Sequence, residues 1–485
     1  MQTPHHPSSI VLSRSLIAAI MVAAIAWPAW SASASGQTKS HHDLVSKLAG
    51  QIPIWMERDD VAGLVIVLVE NRQIVWEKAF GLADPETGTP MRPDAVFRVE
   101  SLSKPVTAWG VMHLAEAGDI DLDVPLSSYL QSWHPPADAP AMTPRQLLSH
   151  TAGLGLGDFT ERYPPTGTRP HLSEHIDRDF TMIADPGSHF AYSDTGFNVL
   201  ELLIQDVSRE DFAVFMAREI FVPLGMTQAT YDPPQGALAS MPLGHDLDGN
   251  PVAPYVYPGR GSGGLHATAS DMARFAIAEM RGTDHGPLSS RAVAALHEPQ
   301  TAVGGMYGIV AQGYALGHFT EQLSSGATAV WHGGQGHGWM SHLHIVPATG
   351  NAIVLLSNSQ RAWPMFAGIL DAWSADLNVD PVGMARLSWA RPGALGAIAA
   401  LVLTALLSAA FALSGATLER AWRVAIGMAG LGLIAAPLWA MSQTYLFIFS
   451  ILPGLTPWLG GAAISAGAGL LLLAVSPHHW RATAS

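Results

Sequence analysis

Phe97-Arg98-Val99-Glu100-Ser101-Leu102-Ser103-Lys104-Pro105 is the stretch on which the reading of this chain turns. Ser101 and Lys104 stand three residues apart at the start of a predicted helix, whose apolar run Val106 to Ala117 reads as buried on most faces. Positions i and i+3 share a helix face, so the Lys104 amine reaches the Ser101 hydroxyl. A serine hydroxyl is a weak nucleophile until a base takes its proton, and a lysine whose pKa is lowered by burial can be that base. The spacing alone does not decide the matter, because a helix-capping serine followed by a surface lysine gives the same pattern. The companions of the pair decide it.

Composition removes several classes of function. The 485 residues contain four lysines (Lys39, Lys47, Lys78, Lys104) against 21 arginines, with a net charge of -14 and no long basic stretch. That balance argues against nucleic acid as a partner. The absence of cysteine excludes disulfides, thiolate catalysis and Cys-based zinc sites.

Both ends of the chain point to a membrane. Residues 1–34 read as an export signal: Arg14, the apolar stretch Leu16 to Trp30, and the small residues Ala32-Ser33-Ala34 before a cut at Ser35. The same stretch left uncleaved would be an anchor, and either way the body of the protein is expected to be exported. Gly393 to Leu413, Val424 to Met441 and Trp458 to Ser476 are three runs long and apolar enough to span a bilayer. Residues 393–476 are therefore expected to be a membrane region of about three helices, reached through a linker at 381–392 and followed by a cytoplasmic tail at 477–485. Arg420 and Arg423 in the first connection, and Arg481 in the tail, fall on the inside under the positive-inside rule. The uncharged connection 442–457 then lies outside, with the body of the protein. Its apolar part, Leu446 to Leu452, leaves a re-entrant segment or a fourth span open. The expected location is the inner membrane, multi-pass, with the lipid bilayer as one partner.

Residues 40–380 alternate in type. Val61 to Glu70 and Ile74 to Phe80, joined by Asn71-Arg72-Gln73, predict a β-hairpin. His342 to Val346 and Ala352 to Leu356 predict a second, and Ala362 to Leu377 a helix. Strands at both ends with helices between them predict an α+β fold, an antiparallel sheet completed by the two termini and flanked by helices, beside a mostly helical region.

With these elements placed, the motifs resemble the class C β-lactamase and penicillin-binding-protein family of serine hydrolases, which includes esterases and D-amino-acid peptidases. Phe97 to Lys104 matches the family's F-R-x-x-S-x-S-K run. Gly118 to Pro125 (GDIDLDVP), Leu147 to Leu154 (LLSHTAGL) and Gly264 to Phe275 (GLHATASDMARF) are similar to further family blocks in the same order. The family's Y-x-N motif corresponds to Tyr192-Ser193-Asp194, and its K-T-G motif to His332-Gly333-Gly334, since no lysine follows Lys104. The resemblance implies a β-lactamase/transpeptidase-like fold with Ser101 as nucleophile and Lys104 as base. Tyr192 would deliver a proton to the leaving group, and His332 stands where the third motif has its lysine. The N–H groups of Ser101 and Gln335 would form the oxyanion hole, with Asp194, Gly333 and Gly334 around the substrate. Asp194 departs from the family pattern: an ionised carboxylate accepts a hydrogen bond from Lys104 but donates none to a substrate carbonyl.

No cofactor and no metal is expected. His342 and His344 share a strand face, yet no carboxylate or third histidine has a ligand spacing to them. Asp271 and Arg274, one helical turn apart, read as structural. The expected function is a serine hydrolase acting through an acyl-serine on an ester or amide, of esterase or D-amino-acid peptidase/amidase type. The expected substrate is a small molecule, peptide or ester, a peptidoglycan-derived one among the candidates. The alternatives are a true β-lactamase or D,D-carboxypeptidase and, from another class, an acylated non-turnover receptor or an inactive peptidoglycan-binding protein.

Overall fold

Strand Gly63–Glu70 (β1) is apolar at almost every position because both of its faces are covered. Val65, Val67 and Val69 enter one hydrophobic cluster, while Leu64, Ile66 and Leu68 enter another on the opposite side. The computed structural model describes residues 41–476 except 235, 237, 239–240, 281–285, 306, 415–417 and 443–447. The signal reading for 1–34 and the tail at 477–485 lie outside the described residues.

The remaining sheet strands are Gln73–Asp84 (β2), Thr89–Pro90 (β3), Thr301–Ala302 (β4), Gly313–Tyr314 (β5), Phe319–Gln322 (β6), Thr328–Gln335 (β7), Met340–Val346 (β8) and Asn351–Ser357 (β9). They form a nine-stranded sheet in the order β3-β2-β1-β9-β8-β7-β6-β5-β4. The first and last long strands are neighbours, antiparallel, with Leu64 opposite Ser357 and Val69 opposite Ala352. This is the closure by the two termini that the hairpins predict.

Helices His41–Asp59 (α1), Ser103–Ala117 (α2), Asp194–Ser208 (α3), Ala269–Glu279 (α4) and Trp363–Asp376 (α5) build the layers. The two terminal helices, α1 and α5, pack together, and α5 shares the second cluster with Leu64, Ile66 and Leu68. The larger helical region, with α2, α3 and α4, covers the other face. Asp271 caps α4, closing a reciprocal pair with Thr268, and Arg274 lies 3.6 Å from it, so both have structural work there.

Helices Ala390–Leu413 (α6), Arg420–Met441 (α7) and Thr456–Val475 (α8) are long and apolar enough to cross a membrane, and their apolar side chains are mostly exposed. The first begins at Ala390, within the expected linker. Residues 383–389 form a tight 3₁₀ turn that buries Met384 and Leu387 against the second cluster. Glu321 on β6 fixes this turn, accepting the Gly383 N–H on both oxygens at 3.0 and 2.9 Å.

Burial raises the Glu321 pKa to about 7, against the opposing pull of the Gly383 N–H and Arg386. A carboxyl raised above its unfolded value favours the fold while protonated, so its contribution is fullest below the unfolded pKa and is lost as pH rises through 7. Glu321→Gln is expected to be more stable than the parent chain at pH 8, by on the order of 1–3 kcal/mol, and indistinguishable from it near pH 4. Urea unfolding of the detergent-solubilised chain at the two pH values checks this.

Candidate active site

Ser101 lies one turn before α2, on the 3₁₀ turn Glu100–Leu102, rather than on the helix itself. The turn is held from three sides. Phe97–Arg98 pairs with His266–Ala267, and the Ser103 hydroxyl donates to the Glu100 carbonyl at 2.6 Å while accepting the Leu265 N–H at 3.0 Å. Glu100 has a positive φ of 52°, a conformation costly for a side chain with a Cβ. Its buried carboxylate accepts from Arg98 Nε at 3.0 Å, Tyr255 OH at 3.1 Å and Tyr257 OH at 2.9 Å. Sequence reading missed this clamp, whose only local sign is the Arg98-x-Glu100 spacing.

Lys104 is fully buried and has three neighbours at Nζ: Ser101 Oγ at 3.2 Å, Asp194 Oδ1 at 2.5 Å and the Ser262 carbonyl at 2.8 Å. The carbonyl and an ionised carboxylate can only accept, whereas the hydroxyl can donate. A neutral amine, with two N–H bonds and one lone pair, satisfies all three when Ser101 donates to it. Burial lowers the Lys104 pKa, and the Asp194 charge acts against that lowering.

Tyr192 comes in just ahead of α3, whose N-terminus is capped by the Ser193 hydroxyl accepting from Gly196 N–H. Its ring lies 4.8 Å from Lys104 Nζ, and burial followed by the Asp194 charge holds its hydroxyl far above the usual phenol range. Tyr192 is thus a phenol, not a phenolate. Beneath it is His150, ring centroids 4.4 Å apart, whose Nδ1 accepts the Ser193 N–H at 3.1 Å. Burial, with the Lys104 charge, keeps His150 neutral. The role of this histidine in seating the tyrosine was not read from the sequence, although it lies in the LLSHTAGL block.

Strand β7 supplies the opposite wall. Gly334 and Gly336 let it approach the Ser101 turn: a Cβ at Gly334 would overlap the Val99 carbonyl and the Ser341 hydroxyl, and one at Gly336 the Glu100 carboxyl. His332 is buried in this wall, with Nδ1 at 2.7 Å from the Gly333 carbonyl and Nε2 at 3.3 Å from Tyr314 OH. Burial, then the Lys104 charge, depresses its pKa well below the ordinary value, so the position carries no positive charge. Its hydrogen bonds go to Gly333 and Tyr314, and it faces the cleft as a neutral side chain. Gln335 ends the strand, and its Oε1 accepts from Trp363 Nε1 at 2.9 Å and from Ser450 Oγ at 3.1 Å.

Two cavities meet at Ser101. The first is lined by Tyr192, Tyr307, Phe319, Trp331, His332 and Trp363 among others. The second is lined by Glu100, Asp158, Glu161, Asp179, Asp194 and Asn198 among others, and neither lining includes an arginine or lysine.

His342 and His344 lie together on β8, Nε2 to Nδ1 3.4 Å, packed against Trp331. A carboxylate does approach them: Glu321 Oε1 is 3.4 Å from His344 Nε2, a neighbour that sequence spacing did not reveal. Elsewhere Glu279 gathers Trp109, His297 and His318, the two imidazoles and the carboxylate bringing their ligand atoms within 4.8 Å of one another. Burial raises the Glu279 pKa, but His318 and His297 outweigh it and leave about 2, so the group is a carboxylate balanced by imidazoles.

With this geometry in place, a family model described as Beta-lactamase matches residues 52–376. The chain belongs to the β-lactamase family. Relatives of this β-lactamase-family chain include esterase EstB of Burkholderia gladioli, 27% identical over 62% of this chain and 86% of the relative. Penicillin-binding protein 4 of Amycolatopsis lactamdurans is 27% identical over 65% and 87%. Among solved structures, the octameric penicillin-binding protein homologue from Pyrococcus abyssi superposes with TM-score 0.61 at 23% identity, covering 70% of this chain and 78% of that one. D-alanine carboxypeptidase AmpC from Burkholderia cenocepacia gives 0.54 at 23%, covering 66% and 95%. The members of the family are serine hydrolases, and the resemblance read from Phe97 to Lys104 holds.

Gly336→Ala is expected to lower kcat by about 100-fold or more, because it displaces Glu100 and with it the Ser101 turn, while far-UV circular dichroism stays native. Asp194→Asn removes the charge that supports the protonated amine, so the Lys104 pKa falls further. The acid limb of kcat/KM against pH is expected to move to lower pH, measured on one neutral ester.

Proposed function

We propose that this β-lactamase-family chain is an exported, membrane-anchored hydrolase that cleaves esters or amides lacking a carboxylate beside the scissile bond. The carrying observation is the charge at Ser101: Asp194 lines both cavities, the second adds Glu100, Asp158, Glu161 and Asp179, and neither lining includes an arginine or lysine. A β-lactam or a C-terminal D-alanine brings a carboxylate, which Asp194 and the neutral His332 receive poorly. The esterase relative supports the ester reading, and three apolar helices together with the N-terminal apolar segment support the anchored, exported one.

In the proposed reaction the Ser101 proton passes to Lys104 as Oγ bonds to the acyl carbon. The oxyanion that forms is held by the N–H groups of Ser101 and Gln335. The bond to the leaving group breaks as Tyr192 gives it a proton, which Lys104 then restores to the phenol. Water repeats the sequence on the acyl-serine, releasing the acid and returning the hydrogen to Ser101. Gly333 and Gly334 give the substrate room along β7.

Two measurements test this. A serine-reactive phosphonate is expected to add its mass to the intact chain and not to Ser101→Ala; labelling that survives the substitution removes the nucleophile assignment. Turnover of a short-chain aryl ester or a D-alanyl amide is expected to exceed that of a chromogenic cephalosporin, and the reverse order would sink the substrate class.

A further inference from the structure

The Ser101 cleft is built in part by the segments that lead into and out of the apolar helices. Met384 lines the first cavity together with Val310, and it belongs to the 383–389 turn that runs directly into α6. Ser450, between α7 and α8, is buried and donates to the Oε1 of Gln335, the residue assigned to the oxyanion hole. Next to it Ile451 packs on the second hydrophobic cluster, which includes Trp363 and Met384. Positive-inside reasoning from Arg420 and Arg423 places this same connection outside, on the side of the catalytic region. Around the Val310 and Met384 side of the cleft the surface is apolar: Ile309 is 61% exposed and Trp389, at the start of α6, 64% exposed. Arg386 joins these two segments through the Ile309 carbonyl at 3.5 Å. Exposed apolar residues with a tryptophan at the head of an apolar helix fit a membrane interface.

We infer that the acyl donor comes from the bilayer: the substrate is an ester or amide of a medium- or long-chain fatty acid, whose chain lies against Val310, Met384, Trp331 and Trp363 while its carbonyl meets Ser101. This rests on the serine-hydrolase reading above and names its substrate class. The apolar lining gains by burying each methylene of such a chain, which an acetyl group cannot offer. The carboxylate-lined second cavity is left to the leaving group, which is neutral or cationic.

The test uses the full chain in nanodiscs with p-nitrophenyl acetate, octanoate and dodecanoate, and with a monoacylglycerol carried in the disc. kcat/KM is expected to rise at least tenfold from acetate to octanoate, and fatty acid to be released from the monoacylglycerol in a Ser101-dependent manner. Met384→Trp is expected to lower the octanoate-to-acetate ratio tenfold or more, and Val310→Phe to lower it in the same direction should the tryptophan variant not fold. Acetate hydrolysis that depends on Ser101 but shows no preference for longer chains, or a ratio unmoved in folded variants, overturns the inference alone. Absence of any Ser101-dependent hydrolysis overturns it together with the reading beneath it.

Discussion

The fully buried amine of Lys104 is the constraint to which the rest of the site is fitted. It has two neighbours that only accept, Asp194 and the Ser262 carbonyl, and one that can donate, Ser101. A buried ammonium beside a carboxylate and a buried neutral amine are close competitors, since desolvation favours the second and Asp194 the first. The surrounding groups avoid adding charge to that balance. His150 and His332 are held neutral and Tyr192 stays a phenol, each chiefly by burial. A cation at the third motif would have shifted the balance toward the neutral amine and offered a counter-ion to anionic substrates. This chain has neither, and Asp194 acts in the opposite sense on both counts, supporting the ammonium and repelling anions.

Positioning is provided by the frame around the turn. Glu100 is held in a left-handed conformation by Arg98, Tyr255 and Tyr257, and β7 passes close enough to touch it because its glycines carry no side chains. Ser101 is therefore fixed by contacts among segments distant in sequence, with α2 carrying only Lys104. A turn under such restraint keeps Ser101 Oγ near Lys104 without relying on the serine's own rotamer preferences.

The parts of this arrangement visible in the sequence are those in which the chemistry is local. Ser101 and Lys104 share a short run, Tyr192 and Asp194 another, and the apolar strands declare themselves by their flanking turns. Asp194 could be read as a partner for Lys104 because a carboxylate in place of an amide has few other uses beside an amine. The Glu100 clamp, the seat that His150 makes for Tyr192, and the approach of Glu321 to His344 and Gly383 depend on strand register and loop packing, which residue spacing does not encode. The segment 381–392 illustrates the limit in another way. Its prolines mark a break in regular structure, but Met384 and Leu387 are apolar residues with a core to enter, so the break is a docked turn.

The pairing of β1 with β9 has a consequence for how the molecule is made. β1 leaves the ribosome near the start of the domain, and the strand that covers its open edge leaves near the end. Until β9 arrives, a strand that is apolar on both faces can pair only with β2, and its other edge offers unpaired N–H and C=O groups to any neighbouring chain. Contacts of such high sequence separation form late and slowly, with the loop-closure entropy spent before the sheet repays it. The nascent chain therefore spends most of the domain's synthesis with an aggregation-prone strand half covered, and that strand needs shielding until Asn351 to Ser357 has emerged.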